Sequence, residues 1–352
     1  MTEKLRVLAA GDSYMPAAIF ADALARLGDA VSVTQLQLEG DTDAAAAPAD
    51  GVREYLGDPA EVAAAVAGHD VLAVHGAPVT AKVLDSAPLR LVCCARGGPV
   101  NVDVAAATAR GIPVATAPGR NATAVAELTI AFALLLIRAV PAASRGVLDG
   151  SPLAASTYEG REFIGTEAEG TTLGIVGVGH VGREVAVRAR ALGFRVLGYD
   201  PVPPPPVPAG VDLVSFDELL SRSDIVSVHA RATADNRHMF DTATFARMRP
   251  GAYFINTARE SLVNEAALLQ AVRNRGLAGA AVDVAERPAD GFRHPLLDLP
   301  NVLVTPHIGG ATRETLRRGA DLAAAAIAAL LAGATLPSLA NPEALAQKAV
   351  PS

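Results

Sequence analysis

Apolar residues in this chain fall into short runs rich in β-branched side chains, separated by stretches where they recur at helical spacing. The runs at 5–10, 31–34, 71–74 and 89–94 predict strands, with helices at 16–27, 59–67 and 103–110, the last closed by Gly111. A strand at 112–115 and a long apolar helix ending near Pro141 follow. Residues 39–50 read as an Ala/Asp/Pro loop, and 142–170, with Pro152, Gly160 and Gly165 but no clear periodicity, as a connection. The alternation then resumes, with strands at 173–176, 194–199, 212–213, 225–229, 253–256, 279–284 and 301–305 and helices at 183–192, 216–221, 241–247 and 265–273. Residues 313–331 predict an Ala-rich amphipathic helix that returns to pack on the first part of the chain. Such a series is α/β: doubly wound parallel sheets whose ligands lie at the C-terminal ends of the strands. No internal repeat is visible.

The stretch 171–200 carries the most information. Its first strand ends in Gly177-Val178-Gly179-His180-Val181-Gly182, a helix follows, and Asp200 stands at the tip of the second strand. In a βαβ unit the three glycines separate into a tight turn, a close approach to a pyrophosphate and tight helix–strand packing, with the diphosphate on the helix N-terminus. An acid about 20 residues further on meets the ribose diol. Asp200 therefore favours NAD over NADP, since a carboxylate accepts from two hydroxyls and repels a 2′-phosphate. The Pro-rich stretch 201–206 contains no Lys or Arg to hold such a phosphate and reads mainly as a stiff, extended surface loop.

A length of 352 residues implies about two domains, and 51% hydrophobic with 19% charged residues implies globular ones. The formal net charge of −7 argues against a nucleic-acid or anionic-membrane partner. The apolar stretch 122–140 is interrupted by Glu127 and Arg138, leaving it short of the ~20 residues that span a bilayer, so it reads as a buried helix. The N-terminus lacks the basic, apolar and cleavage-site sequence of a signal peptide, so a cytoplasmic protein is expected. Cys93 and Cys94 are adjacent in a strand pattern and read as buried free thiols, without a disulfide framework or metal site.

Several strand ends carry polar residues suited to chemistry. His75-Gly76-Ala77-Pro78 and Arg96-Gly97-Gly98-Pro99 are short loops whose N–H groups can meet a carboxylate, with Arg96 adding charge, although each pattern also suits a plain turn. His229-Ala230, Asn256-Thr257-Ala258-Arg259, Asp283-Val284-Ala285-Glu286 and Thr305-Pro306-His307-Ile308-Gly309-Gly310 end strands of the nucleotide-binding sheet. Arginine, acid and histidine together suit hydride transfer on a 2-hydroxy acid: the arginine clamps the carboxylate, the histidine moves the hydroxyl proton and the acid orients the histidine. Singly, an arginine at a strand end is more often a solvated charge, and a histidine before two glycines caps a turn.

Over nearly its whole length the chain resembles the D-isomer-specific 2-hydroxyacid dehydrogenase family. The motifs that carry this are GIPVATAPGRNATAVAE (111–127), GIVGVGHVGREVA (174–186), MRPGAYFINTARESLVNEAAL (248–268), AAVDVAE (280–286) and LPNVLVTPHIGGAT (299–312). The resemblance implies two Rossmann-like domains with the active site in the cleft between them: 1–119 for substrate, 120–306 for NAD, and 307–352 returning to the first. It implies a homodimer joined through the cofactor domains and a small 2-hydroxy or 2-keto acid as substrate. Arg259 would bind the substrate carboxylate, His307 would be the acid/base and Asp283 would hold the nicotinamide carboxamide. Gly177, Gly179, His180, Val181, Gly182, Asp200, His229, Ala230, Thr257, Ala258, Gly309 and Gly310 would also line the cofactor. His75, Gly76, Arg96, Gly97 and Gly98 would meet substrate alongside Arg259 and His307.

One departure stands out. The family's catalytic acid lies five residues past the Asp of the DV motif, where this chain has Pro288; the nearest acids are Glu286 and Asp290. Either Glu286 takes over as partner of His307, or the histidine works without one. The segment 158–169 also lacks the Trp often found before the cofactor domain. Two rival readings keep the fold: oxidation of phosphite or phosphonate (formate is disfavoured, because Ile308-Gly309-Gly310 lacks a Gln partner), and a non-catalytic NAD-binding co-repressor.

Overall fold

The computed structural model describes residues 4–39, 51–150, 160–203, 205–286 and 293–347. It divides into two compact units, Met1–Arg120 with Thr312–Ser352, and Asn121–Ala311. The loop expected at 39–50, apart from Glu39, lies outside the described residues, as do Pro152, Pro288 and Asp290.

The first unit runs β1 (Leu5–Gly11), α1 (Ala17–Leu24), β2 (Val31–Gln37), α2 (Pro59–Val66), β3 (Val71–Val74), α3 (Ala81–Asp85), β4 (Leu91–Cys94), α4 (Val104–Ala109) and β5 (Val114–Thr116). Its strands form one parallel sheet in the order β2-β1-β3-β4-β5, so the chain reverses direction across the sheet between β1 and β3. Both faces are covered, which is why the strands read as continuous apolar runs. Val7, Ala9 and Cys93 point into one core and Leu8, Ala10 and Cys94 into the other. The two thiols are buried and free, as expected from sequence.

The second unit runs α5 (Ala122–Ile137), α6 (Val140–Leu148), β6 (Thr172–Val176), α7 (His180–Ala191), β7 (Arg195–Tyr199), β8 (Val211–Leu213), α8 (Phe216–Arg222), β9 (Ile225–Val228), α9 (Thr242–Arg247), β10 (Ala252–Asn256), α10 (Glu265–Arg273), β11 (Leu277–Val282) and β12 (Val302–Val304). All seven strands are parallel in the order β12-β11-β10-β9-β6-β7-β8, with the reversal between β6 and β9. Phe240, Phe245 and Phe254 stack as tilted and edge-on pairs in the core under α8, α9 and α10, while α5 and α7 cover the other face. Truncating fully buried Phe254 to Ala would cost about 3–5 kcal/mol.

The chain then returns to the first unit as α11 (Arg313–Leu331), whose Ala323 and Ile327 pack into the same core as Phe20 and Leu24 of α1. A short helix, α12 (Ala344–Gln347), follows. The return starts at Thr312 and not at position 307, so the turn bearing His307 belongs to the nucleotide-binding unit.

Three helices were not anticipated, the third being the four-residue α12. The brevity of α3 hides its periodicity, but Thr80 caps it by accepting from the Val83 N–H. The second, α6, starts inside the segment read as the end of a helix. Ala139 takes a left-handed conformation (φ 52°) that breaks the direction of α5, and Pro141 sits in the first turn of the new helix, where a missing N–H costs nothing. Among the described residues no single helix is long and apolar enough to cross a membrane.

Candidate active site

The cofactor cradle forms at the reversal between β6 and β9, where parallel sheets bind ligands. Gly177 has φ +94°, and a Cβ there would lie 2.6 Å from the Ala230 nitrogen, so the loop after β9 abuts the glycine turn. A Cβ on Gly182 would meet the Gly177 carbonyl oxygen at 2.1 Å. Gly179 differs: a Cβ there would meet no protein atom within 4 Å. It is also the N-cap of α7 and supplies no capping side chain. The cradle is thus open in front of the unsatisfied N–H groups of a helix N-terminus, as a pyrophosphate requires. His180, the first helical residue, is exposed and Val181 half-buried behind it.

Asp200, at the end of β7, accepts from the Val178 N–H (2.9 Å) and the Val202 N–H (3.0 Å). One bond from each oxygen fixes the carboxylate against the glycine turn and leaves further acceptor directions for the ribose diol. His229 is tied into the strand ends by hydrogen bonds. Its Nε2 lies 2.9 Å from Ser227 Oγ and its Nδ1 3.5 Å from Thr257 Oγ1, and burial pushes its pKa down to about 3. It is a neutral strut between two strand ends, and Thr129 of α5 extends the chain through Thr257 at 3.1 Å.

Beyond β10, buried Asn256 shapes the turn: its Oδ1 accepts from the Ala258 N–H and its Nδ2 donates to the Arg259 carbonyl. The Arg259 side chain is exposed, donates to the Ala258 carbonyl (2.7 Å), and has no carboxylate partner among the described residues. Beyond β11, Asp283 is 2% exposed. Its Oδ1 accepts from Thr305 Oγ1 (2.6 Å) and the Ile308 N–H (2.8 Å), and its Oδ2 from the Gly309 N–H (2.7 Å). These bonds wrap the turn after β12 around the carboxylate and hold His307 at φ 57°, a rare conformation for a non-glycine residue. A Cβ on Gly309 would lie 2.8 Å from Asp283 Oδ2, so only glycine fits; Gly310 packs against Asn121. Asp283 therefore positions the histidine turn, a role the sequence did not reveal.

The expected pairing of Glu286 with His307 is not formed. The Glu286 side chain is exposed, and its backbone N–H donates to Glu265 Oε1 (2.6 Å). The histidine–carboxylate pair of this region is His294 with Glu265 (2.7 Å), and the Leu296 N–H donates to His294 Nδ1. Glu265 begins α10 and ties the two ends of the loop after β11 together.

In the first unit two groups expected to meet substrate have partners within the protein. The Gly76 N–H donates to Asp12 Oδ2 (2.7 Å). Arg96 donates to the Glu54 carbonyl (2.9 Å) and carboxylate (2.6 Å), so its charge is already matched. Gly97 and Gly98 are exposed, with open space at Gly98. His75 is buried, bonded through Nδ1 to Asp12 Oδ2 (3.1 Å) and through Nε2 to Arg120 Nη2 (3.0 Å). Sequence reasoning missed Asp12 and Arg120. Asp12 immediately follows the apolar run of β1, and that placement was its one available signal.

A Rossmann-type unit with an open glycine cradle and an acid at the tip of its second strand, in a chain with a second parallel α/β unit, defines a dinucleotide-binding protein of dehydrogenase type. A sequence model described as the NAD-binding domain of D-isomer-specific 2-hydroxyacid dehydrogenases matches residues 130–309. D-3-phosphoglycerate dehydrogenase of Mycobacterium leprae is 41% identical over 290 residues, covering 81% of this chain and 53% of that protein. That of Archaeoglobus fulgidus is 41% identical over 239 residues, 67% of this chain and 44% of that protein. The chain thus spans about half the length of these relatives. Among solved structures, the TT0316 protein from Thermus thermophilus aligns with a TM-score of 0.77 and 32% identity, covering 96% of this chain and 100% of that one. The chain belongs to the D-isomer-specific 2-hydroxyacid dehydrogenase family, and its second unit carries the family's NAD-binding domain.

Proposed function

We propose that the chain is an NAD-dependent oxidoreductase that interconverts a small D-2-hydroxy acid and its 2-keto acid. The observation that carries this reading is the pair of groups beyond β10 and β12, the strands on either side of β11 in the NAD unit: Arg259, without a counter-ion among the described residues, and His307, locked in a left-handed turn around Asp283. Bound NAD supplies the hydride acceptor, and NADH the donor, for carbon 2 of the acid. Arg259 has N–H groups left to grip a carboxylate bidentately and so orient that carbon. His307 gives a proton to the keto oxygen during reduction and takes it from the hydroxyl during oxidation. Its imidazole has no hydrogen-bonded carboxylate among the described residues, so in this reading the Asp283 turn orients it through the backbone. Asp200 selects NAD over NADP by receiving the ribose diol.

A cytoplasmic homodimer without a nucleic-acid or membrane partner belongs to the same proposal. Val187 and Leu192 of the α7 segment, both exposed, offer apolar surface for a second copy. The test is NADH oxidation against a panel of 2-keto acids including glyoxylate and hydroxypyruvate, with phosphite plus NAD as a separate arm. Turnover of a keto acid supports the reading; turnover of phosphite alone would replace it.

A further inference from the structure

The strongest unexplained feature lies at the C-terminal ends of the first unit's strands. Asp12 follows β1, His75 follows β3, Arg96 follows β4, and Arg120 stands beyond β5. The β1/β3 boundary is where the strand order reverses, the place where parallel sheets bind ligands. Asp12 is fully buried, and four donors fill it: the Tyr14 and Met15 N–H groups on Oδ1, and the Gly76 N–H and His75 Nδ1 on Oδ2. It has no capacity left for Arg120. What it does is choose the tautomer of His75: with the proton on Nδ1, Nε2 becomes an acceptor and receives Arg120 Nη2. Burial keeps His75 neutral, and the two neighbouring arginines reinforce this. Tyr14 stacks on the ring, with centroids 5.1 Å apart.

Arg120 is built in with equal care. Arg318 Nε donates to its carbonyl (2.7 Å), and its stem passes over Gly319 of α11, where a Cβ would lie 3.3 Å from Arg120 Cδ. Its Nη1 is buried and has no hydrogen-bond partner, and no carboxylate is in contact with its guanidinium among the described residues. A half-buried cation with one nitrogen buried and unpartnered, and a neutral imidazole on another, is incomplete, and the group that completes it is an anion.

We propose that Arg120, aimed by the Asp12–His75 pair, is an anion-binding residue of the first unit, taking a carboxylate or phosphate group. Arg96, satisfied by Glu54, frames the site and leaves Arg120 as its centre.

An anion titration tests this. The NADH-loaded protein is titrated calorimetrically with inorganic phosphate and with malonate, as wild type, Arg120→Lys and Arg120→Met. Binding of at least one anion is expected in the wild type, weakened in Arg120→Lys and lost in Arg120→Met. An affinity for both anions that is the same in wild type and Arg120→Met, or no binding in the wild type, overturns the site, whether or not any keto acid is reduced.

Discussion

Replacing Gly179 by alanine separates the fold from cofactor binding at a single atom. The new methyl group meets no protein atom within 4 Å, and the residue's φ of −74° is open to alanine. The cost to folding is then confined to the poorer N-cap propensity of alanine, about 1 kcal/mol or less. A pyrophosphate that approaches the glycine backbone, however, loses van der Waals clearance and its bonds to the first-turn N–H groups. NADH affinity should fall at least ~10-fold, a loss of about 1.4 kcal/mol or more. Gly182→Ala is the contrasting case, because its methyl group would sit 2.1 Å from the Gly177 carbonyl oxygen. Relieving that overlap moves backbone, at a cost of about 1–3 kcal/mol in overpacking. Fluorescence titration with NADH and urea unfolding of both variants give the readout. An unchanged NADH Kd in Gly179→Ala, or a larger stability loss there than in Gly182→Ala, would refute the assignment of the open cradle to the pyrophosphate.

Other substitutions probe the remaining contacts. Asp283→Asn puts an amide N–H₂ against one of three buried donors, so it should destabilise the unit by about 2–4 kcal/mol and also lower kcat; equal unfolding midpoints would count against the wrapped turn. His307→Ala should lower kcat by roughly 10²–10⁴-fold with NADH affinity preserved, whereas Glu286→Gln should leave the pH profile of keto-acid reduction in place, since no hydrogen bond joins Glu286 to His307. Asp200→Ala should narrow the preference for NADH over NADPH, measured as the ratio of their Kd values. Because the pKa of His229 is about 3 in the folded protein and about 6.5 when unfolded, the unfolded chain binds the extra proton first. Stability should therefore be full above pH ~6.5 and decline as the pH falls toward 3, by up to a few kcal/mol; a His229→Asn variant should show a shallower decline in acid unfolding curves.

The parts of this protein legible from sequence are those governed by local rules. The span of α11, 313–331, agrees with its sequence pattern because a long helix repeats its apolar face several times, and Gly177, Gly182 and Asp200 sit in one βαβ unit whose spacing is set within a short length of chain. The unanticipated helices defeat the same rules: α3 and α12 are too short to show a period, and α6 begins with a proline that also serves as a stop signal. The site residues that went unread depend on partners far along the chain. Glu265 takes the imidazole of His294, and the Asp12 carboxylate is filled partly by the loop after β3. Which of two nearby acids meets a histidine is decided by loop geometry, and no spacing in the sequence encodes it.

The placement of Cys93 and Cys94 gives the protein a built-in clock for one of its halves. The chain's two cysteines both lie in β4, an interior strand of the first unit, one in each of its two cores, where burial raises both thiol pKa values, that of Cys94 to about 11. Neither thiolate forms or meets a reagent until that sheet opens, while the NAD-binding unit contains no cysteine at all. Alkylation kinetics of the unmodified protein would thus time opening events in the first unit alone, and a comparison with and without NADH would reveal whether loading one half slows the breathing of the other.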